Sequence, residues 1–99
     1  MDIKIHSVRF DADIKLTDFI KNKVGKLIQF NDDIIAAEVF LRLENSQDME
    51  NKIAEIKLDI PGNNLFAKKQ SKSFEEATDL AVDALRKQVT KKKAKLRKS

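Results

Sequence analysis

The chain has 99 residues, 20 Lys+Arg against 16 Asp+Glu for a formal net charge of +4, six Phe, and no Trp, Tyr or Cys. That length holds one domain, residues 1–99, with a modest two-layer core. The missing cysteines exclude disulfides, thiolate zinc sites and thiol redox chemistry, and no apolar run exceeds Ile34 to Ala37, too short for a transmembrane helix or a signal-peptide apolar region.

Residues Ile3 and Ile5 alternate with Lys4 and His6, the period-2 pattern of a half-buried first strand. From Leu16 the period changes: Leu16, Phe19, Ile20, Val24, Leu27 and Ile28 recur at three and four, predicting a helix to about Phe30 with Asp13 as its N-cap. Asn31-Asp32-Asp33 breaks that helix. A long second strand follows, in which Ile35, Ala37, Val39, Leu41 and Leu43 form one apolar face. Beyond a polar loop around Ser46 to Glu50, the alternation of Ala54, Ile56, Leu58 and Ile60 predicts a third strand paired to the second as a hairpin. Pro61-Gly62-Asn63-Asn64 is a turn, because Pro fixes φ while Gly and Asn tolerate positive φ. Leu65 to Lys69 then reads as a short fourth strand antiparallel to the third, with Lys68 and Lys69 as the charges of a strand end or edge.

Ser73-Phe74-Glu75-Glu76 fits a capping box. No Gly or Pro interrupts the helix it opens before the C-terminus. Phe74, Ala77, Ala81, Ala84, Leu85, Gln88 and Val89 fall on one stripe, the face expected to pack on the sheet. Lys92 falls at the centre of the same stripe. Burying an unpaired ammonium is costly, so by that residue the helix has run past the sheet. The expected fold is α+β, a two-layer β-α-β-β-β-α arrangement with a four-stranded sheet and two helices packed on one face, similar in shape to double-stranded RNA-binding domains.

Most catalytic chemistry fails on inventory. Two glycines, Gly25 and Gly62, cannot build a dinucleotide fingerprint or a P-loop. His6 is the one imidazole, placed among the polar alternates of a strand, and reads as an exposed structural residue rather than a catalytic or zinc-binding one. The carboxylate pairs Asp11/Asp13, Asp32/Asp33 and Glu75/Glu76 sit where loops and helix starts place acids. No cofactor, metal site or enzyme activity is expected. The Phe residues read as core, except Phe40, which shares a face with Glu38 and Arg42 and could stack on a base.

Charge is the feature that exceeds its bland reading. All 16 acids lie at or before Asp83, against twelve cations there, whereas Ala84 to Ser99 carries Arg86, Lys87, Lys91, Lys92, Lys93, Lys95, Arg97 and Lys98 with no acid. Such a field repels itself unless a polyanion shares it. Nucleic acid fits best. An anionic membrane fits poorly because the terminal turns lack a large apolar face to insert, and a solubility tail is the remaining reading. With few aromatics, binding should address phosphates and RNA shape more than bases.

The Lys23-Val-Gly-Lys26-Leu27 segment, the Ala77-Thr78-Asp79 segment and the run from Leu85 to Leu96, together with the element order, resemble the ribosome hibernation promoting factor family, also described as ribosome-associated translation inhibitors. One departure is visible: many members carry Tyr before an Ala-Ile-Asp run, where this chain has Glu75, with Phe74 one residue earlier and Thr78 in place of Ile. The resemblance implies a cytoplasmic protein that binds the small ribosomal subunit and its rRNA in the channel of mRNA and tRNA. There it would compete with both and silence ribosomes in stationary phase or stress. It also implies a short form without the dimerisation domain of longer members; short forms in some bacteria act with a separate ribosome modulation factor. Lys23, Lys26, Arg86, Lys87, Lys91, Lys92 and Lys95 match basic family positions, and Lys68, Lys69, Lys72, Lys93, Arg97 and Lys98 join them as RNA-binding candidates from charge alone. A small double-stranded or structured RNA-binding module not tied to the ribosome is the alternative.

Overall fold

The computed structural model describes residues 2–8, 10–29, 31–44 and 50–98, with the side chains of Asp2, Asn63 and residues 92–98 outside that description. Its elements are β1 (Asp2–Val8), α1 (Ile14–Gln29), β2 (Ala36–Leu43), β3 (Lys52–Ile60), β4 (Asn63–Ser71) and α2 (Phe74–Lys98). The four strands form one sheet in the order β1-β2-β3-β4. β1 pairs parallel to β2, and β3 pairs antiparallel to both β2 and β4. A parallel pair needs a crossover, and α1 supplies it. The order and the two-layer α+β arrangement are those expected from the sequence.

Local chemistry starts and stops these elements where the sequence places the signals. Asp13 Oδ1 accepts the Leu16 N–H at 2.8 Å, capping α1. At the other end, Asn31 Nδ2 donates to the Leu27 carbonyl at 2.8 Å, filling one of the orphan acceptors of the last turn. Ser73 Oγ accepts the Glu76 N–H at 3.1 Å and begins α2. Between β3 and β4 the turn is only Pro61-Gly62, with Gly62 at φ 82°, the Pro-then-Gly combination of a type II turn.

The core lies between the helices and one face of the sheet. Ile20, Val24 and Leu27 of α1, Val39 and Leu41 of β2, Ile56 and Leu58 of β3, and Ala77, Ala81 and Leu85 of α2 are all at or near zero exposure. The strand members share one side-chain parity, so the helices cover a single face. Truncating Ile56 or Leu85 to Ala would cost about 2–5 kcal/mol, a large share of what a small domain has.

Four details differ from the sequence expectation. β4 is nine residues long, and Asn63 and Asn64 belong to it rather than to the turn. Ile35 and Leu43 have the core parity but are exposed, because they lie beyond the reach of the helices. Phe66 is 51 % exposed, since it points from β4 to the opposite face. On α2, Thr78 and Val82 are buried and extend the apolar stripe. The helix touches α1 as well as β3 and β4, and two contact surfaces need a wider stripe than one. Phe30 and the loop residues Asn45 to Met49 lie outside the described residues.

Candidate nucleic-acid interface

The connections fix how the basic residues are distributed. Each helix follows a strand by a short link and runs back along it, so α1 and α2 lie side by side pointing the same way. Their C-terminal ends therefore meet at one end of the molecule. Lys26, in the last turn of α1, and Arg86, Lys87 and Lys91 of α2 are exposed there. Val89 is the last buried side chain described on α2, and the helix continues to Lys98, about 13 Å further at 1.5 Å per residue. The molecule is correspondingly elongated, 47 Å against 26 and 18 Å. The side chains of Lys92, Lys93, Lys95, Arg97 and Lys98 lie outside the described residues; the backbone places them along this extension.

Gln88 holds the helix down where the extension begins. Its Nε2 donates to the Phe66 carbonyl at 3.1 Å, so an α2 side chain satisfies an acceptor of the edge strand β4. Sequence reasoning placed Gln88 on the packing face; its hydrogen bond to a strand 22 residues away carries no local signal.

Not every candidate cation stands free. Lys23 Nζ is 3.1 Å from Asp79 Oδ1, joining α1 to α2, and lies 5.6 Å from the centre of the Phe19 ring. Lys87 Nζ is 3.5 Å from Asp83 Oδ2, one helical turn back. Both pairs are largely solvated and each holds little energy. Lys68, Lys69 and Lys72 are exposed but sit at the end of β4 that leads into the start of α2, away from the α2 extension. The thirteen candidates thus form one group at the C-terminal ends of the helices, a second near the start of α2, and Lys23 between the helices.

The face of the sheet without helices carries what the sequence reading weighed least. The rings of His6 and Phe40, directly opposite in the β1–β2 register, stack at 4.8 Å with 18° between their planes. His6 Nε2 and Glu38 Oε2 are 2.8 Å apart, and the Arg42 guanidinium lies 5.8 Å from the Phe40 ring centre and 3.3 Å from Glu55. Ile53 is buried on this face, opposite Arg42 and Gln70, and is not part of the main core. The alternation of Phe40 with Glu38 and Arg42 was the one signal in the sequence. Among the described residues no group of three or more His, Cys, Asp or Glu could hold a metal, and no helix is long and apolar enough to cross a membrane.

Comparison with known proteins follows the same fold. Residues 3–97 match the family described as sigma 54 modulation protein / S30EA ribosomal protein. A ribosomal subunit interface protein from Coxiella burnetii superposes with a TM-score of 0.83 at 21 % identity, over 95 % of this chain and 99 % of that one. The N-terminal domain of Protein Y from Thermus thermophilus superposes with a TM-score of 0.78 at 27 % identity, over 92 % of this chain and 98 % of that one. No curated protein sequence matches.

Proposed function

The chain belongs to the sigma 54 modulation protein / S30EA ribosomal protein family, the family of hibernation promoting factors, and from that premise we propose that it is a ribosome hibernation factor acting at the small subunit. In this reading it occupies the channel of mRNA and tRNA, blocks translation by steric exclusion without catalysis, and stabilises idle ribosomes in the cytoplasm during stationary phase or stress. The observation that carries the reading is α2: it runs nine residues past Val89, its last described core contact, through Lys91, Lys92, Lys93, Lys95, Arg97 and Lys98. A helix with cations and no acid beyond its packing face is a rigid rod for phosphates. Lys26, Arg86 and Lys87 extend the same end of the molecule, and Lys23 joins them once Asp79 releases it. Lys68, Lys69 and Lys72 make a separate contact near the start of α2.

Phosphate-dominated binding falls steeply with salt, with a slope of about −0.7 to −0.9 per phosphate neutralised. Sedimentation with purified small subunits tests this. The wild-type chain should co-sediment at low salt and dissociate at high salt, and a variant with Arg86, Lys91, Lys92 and Lys95 all changed to Glu should stay in the supernatant while its circular dichroism is unchanged. A wild-type chain that fails to co-sediment at low salt contradicts the reading.

A further inference from the structure

We infer that the helix-free face of the sheet is a second RNA contact, one that takes unpaired nucleotides by stacking bases on aromatic rings. Phe66 presents half its surface to solvent at the centre of β4, with its backbone held by Gln88. Its direct partner across the strand pair is Lys57, and Lys68 stands two residues further on the same face. Two strands away, His6 and Phe40 form a stacked ring pair whose position is fixed by Glu38 and Arg42. On the same face, beside Lys57 and on the side away from the His6–Phe40 pair, lies a shallow hollow of about 250 Å³ walled by Lys4, Glu38, Lys57 and Asp59, where Ala36 and Asn64 leave space.

Charge selects the occupant. Glu38 and Glu55 are engaged by His6 and Arg42, whereas Lys4, Lys57 and Lys68 make no ion pair among the described residues and outnumber Asp59, the carboxylate at the hollow that also makes none. The cores of protein–protein interfaces are enriched in aromatics but depleted in lysine. Here free ammoniums border the rings, the combination that grips a strand with phosphates on its backbone and π faces on its bases. A duplex hides those faces, so a paired helix cannot use this surface. Glu38, Asp59 and Asn64 at the hollow give acceptors to the amino groups of an inserted base. The surface lies on the opposite side of the sheet from the helices, so one molecule can hold phosphates with α2 and unpaired bases with the sheet.

Fluorescence anisotropy with an unstructured ten-nucleotide RNA of mixed sequence, and with a blunt RNA duplex of the same length, tests the inference independently of ribosome binding. Phe66→Ala and Phe66→Leu should each weaken single-strand binding about five-fold or more and leave duplex binding and circular dichroism unchanged, since the Leu variant keeps apolar volume but has no π face. Lys57→Glu should do the same. In contrast, the duplex and the small subunit should be lost to Arg86→Glu with Lys91→Glu. Single-strand affinity unchanged in all three sheet-face variants, an equal loss for duplex and single strand, or no single-strand binding by the wild type would each overturn the inference without touching the role of α2.

Discussion

The Lys23 ammonium lies 3.1 Å from the Asp79 carboxylate, so the two helices are joined by an ion pair that engages one of the candidate RNA-binding cations. With both partners about half exposed, the pair should contribute under about 1 kcal/mol to stability. In the proposed function its larger effect is on binding, where Asp79 would compete with phosphate for Lys23. Asp79→Asn should therefore leave thermal unfolding nearly unchanged and tighten binding to small subunits a few-fold at low salt. It should also steepen the slope of log affinity against log salt by a little under one, as one more phosphate is neutralised. Filter binding across a salt series reads both; an unchanged slope would mean Lys23 stays away from RNA.

Thr78 is fully buried in the packing face of α2 and its Oγ1 finds no hydrogen-bond partner. A buried hydroxyl left unpaired loses its hydration with no compensation. Thr78→Val keeps the shape and removes the unpaired group, and should raise stability by about 1 kcal/mol, or roughly 4–8 °C in Tm for a domain this size. Thr78→Ser removes the methyl and keeps the hydroxyl, and should lower Tm. Calorimetry that shows no gain for the Val variant would mean the hydroxyl is satisfied in solution.

Two glycines should respond to alanine in opposite directions although neither has any atom within 4 Å of the added Cβ. Gly62 has φ 82°, where a side chain is strained, so Gly62→Ala should destabilise by about 1–2 kcal/mol. Gly25 lies inside α1 with no such constraint, so Gly25→Ala should stabilise by about 0.5–1 kcal/mol. Urea midpoints for the two variants, on either side of the wild type, check both signs.

Which parts were legible in the sequence follows from how local each signal is. Alternation marked the faces of β2 and β3, and Asp13 and Ser73 marked the starts of both helices, because strand pleat and capping depend on residues within one turn. β4 read as short since only Leu65 and Ala67 of its nine residues are buried apolar side chains, and its other members gain their order from pairing with β3. Thr78 and Val82 were left off the stripe read for the sheet because α2 also packs against α1, some fifty residues earlier, which no local pattern signals. The excess of cations after Asp83 was plain, but not that Lys23 and Lys87 face carboxylates or that Lys68, Lys69 and Lys72 stand apart from the α2 end. Nor could alternation alone show that His6 and Phe40 meet, since that depends on β1 lying next to β2 in one register.

The central claim is occupancy of the channel shared by mRNA and tRNA. Small subunits should be loaded with the labelled chain, challenged with increasing mRNA and initiator tRNA, and separated on a sucrose gradient. The account predicts mutual exclusion: the chain leaves the subunit peak as mRNA and tRNA enter it, and excess chain reverses the exchange. A single peak holding the chain, mRNA and tRNA together at saturating amounts of each would contradict it.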